Sequence, residues 1–176
     1  LSVKWATCNV GARSPWESGD LFAWGETEPK ETYSDLNSLT FRLGISKLES
    51  IGFIDGKGNL TSSYDAATVN WGGRWRMPTS AEMEELVDNC RWEWIIEPNG
   101  IYRKVTGPNG NSIFLPAAGN RSGTGLRYRG TEGYYCSSSL FGGYCYNSYS
   151  LYFNVSGHDW YLSGRHMGIS VRPVSK

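Results

Sequence analysis

The sequence predicts an α+β domain: short antiparallel strands, one or two helices and long ordered loops. Three observations predict it. Glycine and aromatic rings are abundant, with 22 glycines, eight tryptophans and eleven tyrosines among 176 residues, a composition of turns and strands more than of helical bundles. Two Pro-Asn-Gly triplets punctuate the stretch after residue 90 and supply the positive φ that tight hairpins need. One segment, from Met77 to Cys90, carries a complete helix-start signature.

That helix is the clearest local element. Thr79 and Glu82 form a capping box behind Pro78, and Met83, Leu86, Val87 and Cys90 recur at the spacing that puts them on one apolar face. Glu82, Glu84 and Glu85 fall in the first turns, where the helix dipole favours negative charge, so they need no catalytic role. A second short helix is expected around "ISKLESIGF", followed by the turn "DGKGN" at Asp55 to Asn59. Residues 37–61 read as a peripheral insertion in a single domain spanning 1–176.

The strands are read from alternation and turns. "VKWATCNVGA", Val3 to Ala12, is an apolar strand ending in a turn, and "RWEWIIEPNGIYRKVTGPNGNSIFLP" is a β-meander. In "YSLYFNV", Tyr149, Leu151, Phe153 and Val155 alternate with Ser150, Tyr152 and Asn154, so the first set should face the core and the second the outside. Ile169 and Val171 share one face of a terminal strand that closes at Pro173.

Charge and cysteine usage narrow the function classes. Seventeen basic residues balance seventeen acidic ones, leaving no net field to draw nucleic acid or an anionic membrane. No apolar run is long enough to span a bilayer, and the start at Leu1 without a signal-like segment reads as a mature or trimmed domain. Cys8, Cys90, Cys136 and Cys145 lack metal-ligand spacing, which argues against structural zinc and leaves both bridged and free states open. Glu26, Glu28 and Glu31 between glycine and proline read as a solvated loop, not a metal cluster. No cofactor and no metal is called.

The stretch "GYYCSSSLFGGYCYNSYSLYF", Gly133 to Phe153, holds six tyrosines, two phenylalanines and no charge. Tyrosine offers large, rigid, amphipathic contact area, while serine, glycine and asparagine offer adaptable hydrogen bonds, which together are the chemistry of a paratope. Tyr135, Tyr149, Leu151 and Phe153 read as core; Tyr128, Phe141, Tyr144, Tyr146, Tyr152 and Tyr161 read as exposed.

The ordered set "VKWATCNVGA", "FAWGE", "WGGRWRMPTSAEMEEL", "GNSIFLPAAG", "GYYCSSS" and "ISVRPV" resembles the Fibrobacter-type major paralogous domains of Bacteroidetes. The resemblance covers most of the chain outside 37–61 and implies a C-type lectin fold, distantly related to the formylglycine-generating enzyme. The carboxy-terminal third, 127–174, is also similar to the variable region of proteins diversified by a retroelement through adenine-directed mutagenesis. That likeness implies a non-enzymatic ligand-binding domain recognising a protein or cell-surface ligand through Arg127, Tyr128, Phe141, Gly142, Tyr144, Tyr146, Ser150, Tyr152, His158, Tyr161 and His166. It further implies an exported, cell-surface protein, lipid-anchored in some full-length forms. Mutated adenines of an asparagine codon can give Tyr, Ser, Gly, Phe, His, Arg, Leu or Cys but not Trp, Met, Glu or Lys, so Trp160, Met167 and Glu132 are expected to be scaffold. The alternative is a structural or adhesive domain of a surface or pilus-like assembly without a diversified site.

Two other resemblances are partial. Glu97-Pro98-Asn99 matches the sugar-selecting tripeptide of calcium-dependent lectins, but the companion Trp-Asn-Asp is missing and a hairpin turn accounts for it. Cys136 and Cys145 have eight residues between them and lack the surroundings of a copper-thiol oxidase site, so no enzyme is expected.

Overall fold

A computed structural model of the chain describes residues 1–143 and 146–176. Along it run β1 (Lys4–Trp5), β2 (Leu21–Phe22), α1 (Ile45–Ser50), a 3-10 turn (Ser62–Tyr64), α2 (Ala66–Trp71) and α3 (Ser80–Asn89). Strands then dominate: β3 (Arg91–Glu97), β4 (Gly100–Thr106), β5 (Ser112–Pro116), β6 (Asn120–Ser122), β7 (Gly125–Arg127), β8 (Gly133–Leu140), β9 (Asn147–Phe153), β10 (His158–Gly164), β11 (Ile169–Ser170) and β12 (Val174–Ser175). The architecture is mixed α+β, with short, mostly antiparallel strands and a few helices.

The central sheet has the order β10-β9-β8-β11-β2, antiparallel except where β11 runs parallel to β8. The meander β3-β4-β5 forms a second sheet around the expected Pro98-Asn99 turn, so Glu97-Pro98-Asn99 is hairpin geometry. The pair β1-β12 ties the two ends of the chain together, and β6-β7 is a small hairpin.

Both faces of the sheet are covered at its middle strand, β8. Tyr134 and Cys136 of β8 join a core with Val10, Phe22, Trp24 and Ile169, whereas Tyr135, Leu151 and Phe153 join Met83 and Leu86 of α3 and Val105 and Leu115 of the meander. A strand buried on both sides loses the polar/apolar alternation of a half-buried one. Gly133 is required here because the Phe153 ring lies where a side chain would stand, 2.1 Å from an ideal Cβ.

Helix α3 forms as its sequence dictates. The Thr79 hydroxyl accepts from the Glu82 N–H, the Glu82 carboxylate accepts from the Thr79 N–H, and Met83 and Leu86 are buried. Helix α2 was not anticipated from its short "AATVNW" run. Its N-cap Asp65 is buried and accepts backbone N–H bonds from both Thr68 and Met77, so one carboxylate starts the helix and anchors the strand-like segment before α3. Burial raises the Asp65 pKa against those bonds.

Several expectations need correction. Residues 37–61 are not peripheral in packing: Leu48, Phe53, Ile54 and Leu60 belong to the same core as Phe22 and Trp24. The expected strand Val3 to Ala12 shrinks to Lys4–Trp5. Val155 is 64% exposed because β9 ends at Phe153 and Asn154 Oδ1 accepts from the N–H groups of Ser156 and Gly157, turning the chain into β10. Glu26 is buried, not solvated; it pairs with Lys30 at 2.9 Å and accepts from the Leu39 N–H. Cys8, Cys90 and Cys136 are free thiols, and Cys145 lies outside the described residues.

Two outcomes follow for α3. Thr79→Ala removes the cap and is expected to cost about 1 kcal/mol in urea unfolding; an unchanged midpoint would contradict the cap. Arg76 bridges to Glu82 at 2.6 Å. Burial of Glu82 opposes its ionisation, but Arg76 and the Thr79 N–H outweigh that and lower its pKa below the ordinary 4.5. A carboxylate with a depressed folded pKa stabilises fully above its unfolded pKa and loses that contribution as pH falls through the folded value. Glu82→Gln should therefore flatten the fall in stability below about pH 4.5, measured by urea midpoints across the acid range; an unaltered slope would assign the acid sensitivity elsewhere.

Candidate ligand-binding surface

The β6-β7 hairpin, the β8-β9 connection, the β9-β10 hairpin and the segment after β10 position the ten expected residues that are described. Arg127 ends β7 and is exposed; Tyr128, in the turn that follows, is 52% exposed. This turn lies directly on the backbone of Gly119, where an added Cβ would meet Arg127 O at 2.0 Å, so the glycine of "PAAG" lets the hairpin close. Tyr128 has φ 60°, the sole non-glycine positive φ among the described residues. Such a conformation suits glycine or asparagine and strains a tyrosine.

On β9 and β10 the register sets which rings meet. Tyr152 stands opposite Tyr134 on one side and Asp159 on the other, and Ser150 stands between Cys136 and Tyr161. Tyr152, Tyr161 and Tyr134 pack on one another with ring centroids 5.1 to 6.2 Å apart. Tyr161 is 48% exposed, Tyr152 half-buried and Tyr134 buried. The Tyr134 hydroxyl donates to Glu132, and the Tyr152 hydroxyl accepts from Asn154 at 2.9 Å. Burial, reinforced by the Glu132 carboxylate, raises the pKa of both phenols.

A second group gathers where the β9-β10 hairpin opens. Tyr146, half exposed, tilts onto Phe41 at 4.9 Å, and His166 meets the same ring edge-on at 4.7 Å. On the other face of the hairpin, Phe141 and Trp160 each meet Tyr149 edge-on, at 5.3 and 6.0 Å. His158 stacks on Trp92 at 4.3 Å. Burial lowers the pKa of both histidines, with Arg103 adding to the effect at His158.

The expected set is thus divided among these groups. Gly142 is exposed with open space around it, and Tyr144 lies outside the described residues. Phe141, His158 and His166 are half-buried through their ring contacts. Ser150 requires correction: it is buried, its hydroxyl paired with Ser163 at 2.8 Å, and its small side chain lies under the Tyr134-Tyr161 contact. Tyr149, assigned to the core, is half-buried. Sequence reasoning missed Phe41, which comes from the segment read as an insertion, and Tyr134, whose neighbours along the chain are as buried as itself. Trp160, expected as scaffold, exposes half its surface on an edge strand.

Two cavities lie outside these rings. The larger, about 460 Å³, is walled by Trp5, Leu86, Cys90, Val105 and Ile113 and shares no residue with the expected set. The smaller, about 300 Å³, lies between Tyr33 and the arginines Arg121 and Arg129 that flank the Tyr128 turn. Among the described residues no three His, Cys, Asp or Glu side chains gather as metal ligands would, and no helix is long and apolar enough to cross a membrane.

The strained turn gives a direct test. Tyr128→Asn should raise the unfolding free energy by about 0.5 to 1 kcal/mol, because asparagine tolerates the left-handed conformation; a loss of stability would show that the Tyr128 ring contributes to the fold.

Compared with known proteins, the chain matches no family model, and neither a curated protein nor a solved structure is significantly similar to it.

Proposed function

We propose that the chain is a ligand-binding domain with a C-type-lectin-like fold of the Fibrobacter-type paralogous class, and that its carboxy-terminal surface, 127–174, recognises a protein or cell-surface ligand and is diversified by a retroelement. The observation that carries this reading is the placement of Tyr128, Tyr146 and Tyr161. Each exposes about half its surface, at 52, 50 and 48%, from a turn, a hairpin end and an edge strand held by ordered sheet. Rings so placed offer contact area without being needed in either core, and rigid elements beneath them lower the entropy lost on binding.

Tyr128 adds independent support. Tyrosine at positive φ is a poor choice for the backbone and a good one for a surface, and asparagine, the residue whose codon adenine mutagenesis rewrites, is the natural occupant of that conformation. By the same reading the domain belongs to an exported protein displayed at the cell surface and acts without catalysis, metal or cofactor.

Two measurements test the proposal without a known ligand. Sequencing around the gene should find a near-copy of the region coding for 127–174, differing at adenines, beside a reverse transcriptase gene; a locus without one removes diversification. A displayed library carrying Tyr, Ser, Asn or Gly at 128, 146 and 161 should yield mostly protease-resistant folded members, whereas the same mixture at 135, 151 and 153 should yield few. If both libraries lose folding alike, these tyrosines belong to the scaffold and the recognition surface is lost with them.

A further inference from the structure

We propose that the Tyr134, Tyr152 and Tyr161 rings, flanked by Glu132 and Asp159, form a subsite for a cationic side chain, a lysine ammonium or arginine guanidinium, presented by a protein partner. The proposal rests on the binding-surface reading and names the chemistry that one part of that surface selects.

The register places these groups on one face of the sheet. Tyr134, Tyr152 and Asp159 form a row across β8, β9 and β10, and Tyr161 follows Asp159 by two residues on the same side of β10. Strands two apart in a sheet are separated by about 10 Å, yet the Tyr134 and Tyr161 centroids are 6.2 Å apart. The two rings lean toward each other over the intervening strand, where Ser150 is small enough to pass beneath. Three electron-rich ring systems are thereby gathered, with the Tyr161 ring open to solvent.

Charge points the same way. Among the described residues neither Glu132 nor Asp159 takes part in an ion pair. Glu132 accepts a hydrogen bond from the Tyr134 hydroxyl, and Asp159 is exposed, with one oxygen accepting from the Trp160 N–H. A phenol that donates to a carboxylate carries more electron density in its ring, which strengthens its attraction for a cation. An anionic or purely apolar occupant would leave both carboxylates uncompensated, whereas a lysine or arginine tip would meet a ring face and a carboxylate together.

Titration of the whole chain, with 13C-labelled tyrosine rings, against N-acetyl-lysine methylamide and its uncharged counterpart N-acetyl-norleucine methylamide tests this. Tyr152→Phe and Tyr161→Phe assign the resonances. Saturable shifts of the Tyr152 and Tyr161 rings are expected with the lysine compound, and binding of the norleucine compound at least about tenfold weaker. Glu132→Gln with Asp159→Asn, which keep side-chain shape, should lower lysine affinity by a similar factor, about tenfold, while the dispersed ring spectrum shows the fold intact. Absence of lysine-dependent shifts, equal response to norleucine, or undiminished affinity in the double variant would overturn the subsite. A chain whose library at 128, 146 and 161 folds normally but shows no lysine preference loses this subsite alone and keeps the broader surface.

Discussion

The guanidinium of Arg172 is the contact on which the rest of the chain converges. It is wholly buried and has no carboxylate among its hydrogen-bond acceptors: Nε donates to Asn9 Oδ1 at 2.8 Å, Nη1 to the carbonyls of Ala6 and Thr7, and Nη2 to the Phe114 carbonyl at 2.7 Å. Asn9 passes the connection on, donating to the Tyr135 hydroxyl, which donates in turn to the Pro116 carbonyl. One cation thus joins the amino-terminal segment, the meander, the central strand β8 and the carboxy-terminal strand. Burial lowers its pKa, and a buried charge persists only where its donors are used, so these acceptors must be held in place by the fold that the charge organises.

This arrangement leaves the outer strands of the sheet free for another purpose. With β8 fixed between two cores, β9 and β10 extend the sheet outward, and side chains pass from fully buried to half exposed within two strands. Phe153 and Leu151 lock β9 from one side, and on the other Ser148, Ser150 and Ser163 form a low, buried floor over which tyrosine rings can lean. Rigid backbone beneath large rings is what a recognition surface needs, because little conformational freedom is left to lose.

The legible parts of the sequence were those whose signals are local. Thr79 and Glu82 announced α3, and the two Pro-Asn-Gly triplets announced the meander, because caps and turns are decided by neighbouring residues. Strand β8 gave no alternation since both its faces are covered, and so the serines of "GYYCSSS" read as part of a paratope-like stretch although they are interior, whereas Tyr135 read as core and is buried. Residues 37–61 lacked periodicity, yet Leu48 and Phe53 fill the core and Phe41 supports Tyr146. Alternation puts Ser150 on the face away from Leu151 but not outside: it is buried and pairs with Ser163 of the neighbouring strand, a tertiary fact that local spacing does not carry. Asn9 and Arg172 stood in the two terminal motifs that carried the family resemblance, and nothing in either motif alone disclosed that they bond to each other.

The central claim is that the fold is held from within and that the half-exposed tyrosines are free of it. Urea unfolding of the triple variant Tyr128→Ser, Tyr146→Ser, Tyr161→Ser measures this most directly. The account predicts a total loss below about 2 kcal/mol with an unchanged m-value. A loss of about 2 to 5 kcal/mol for each ring, the scale of core truncations, would contradict it and make these tyrosines part of the interior.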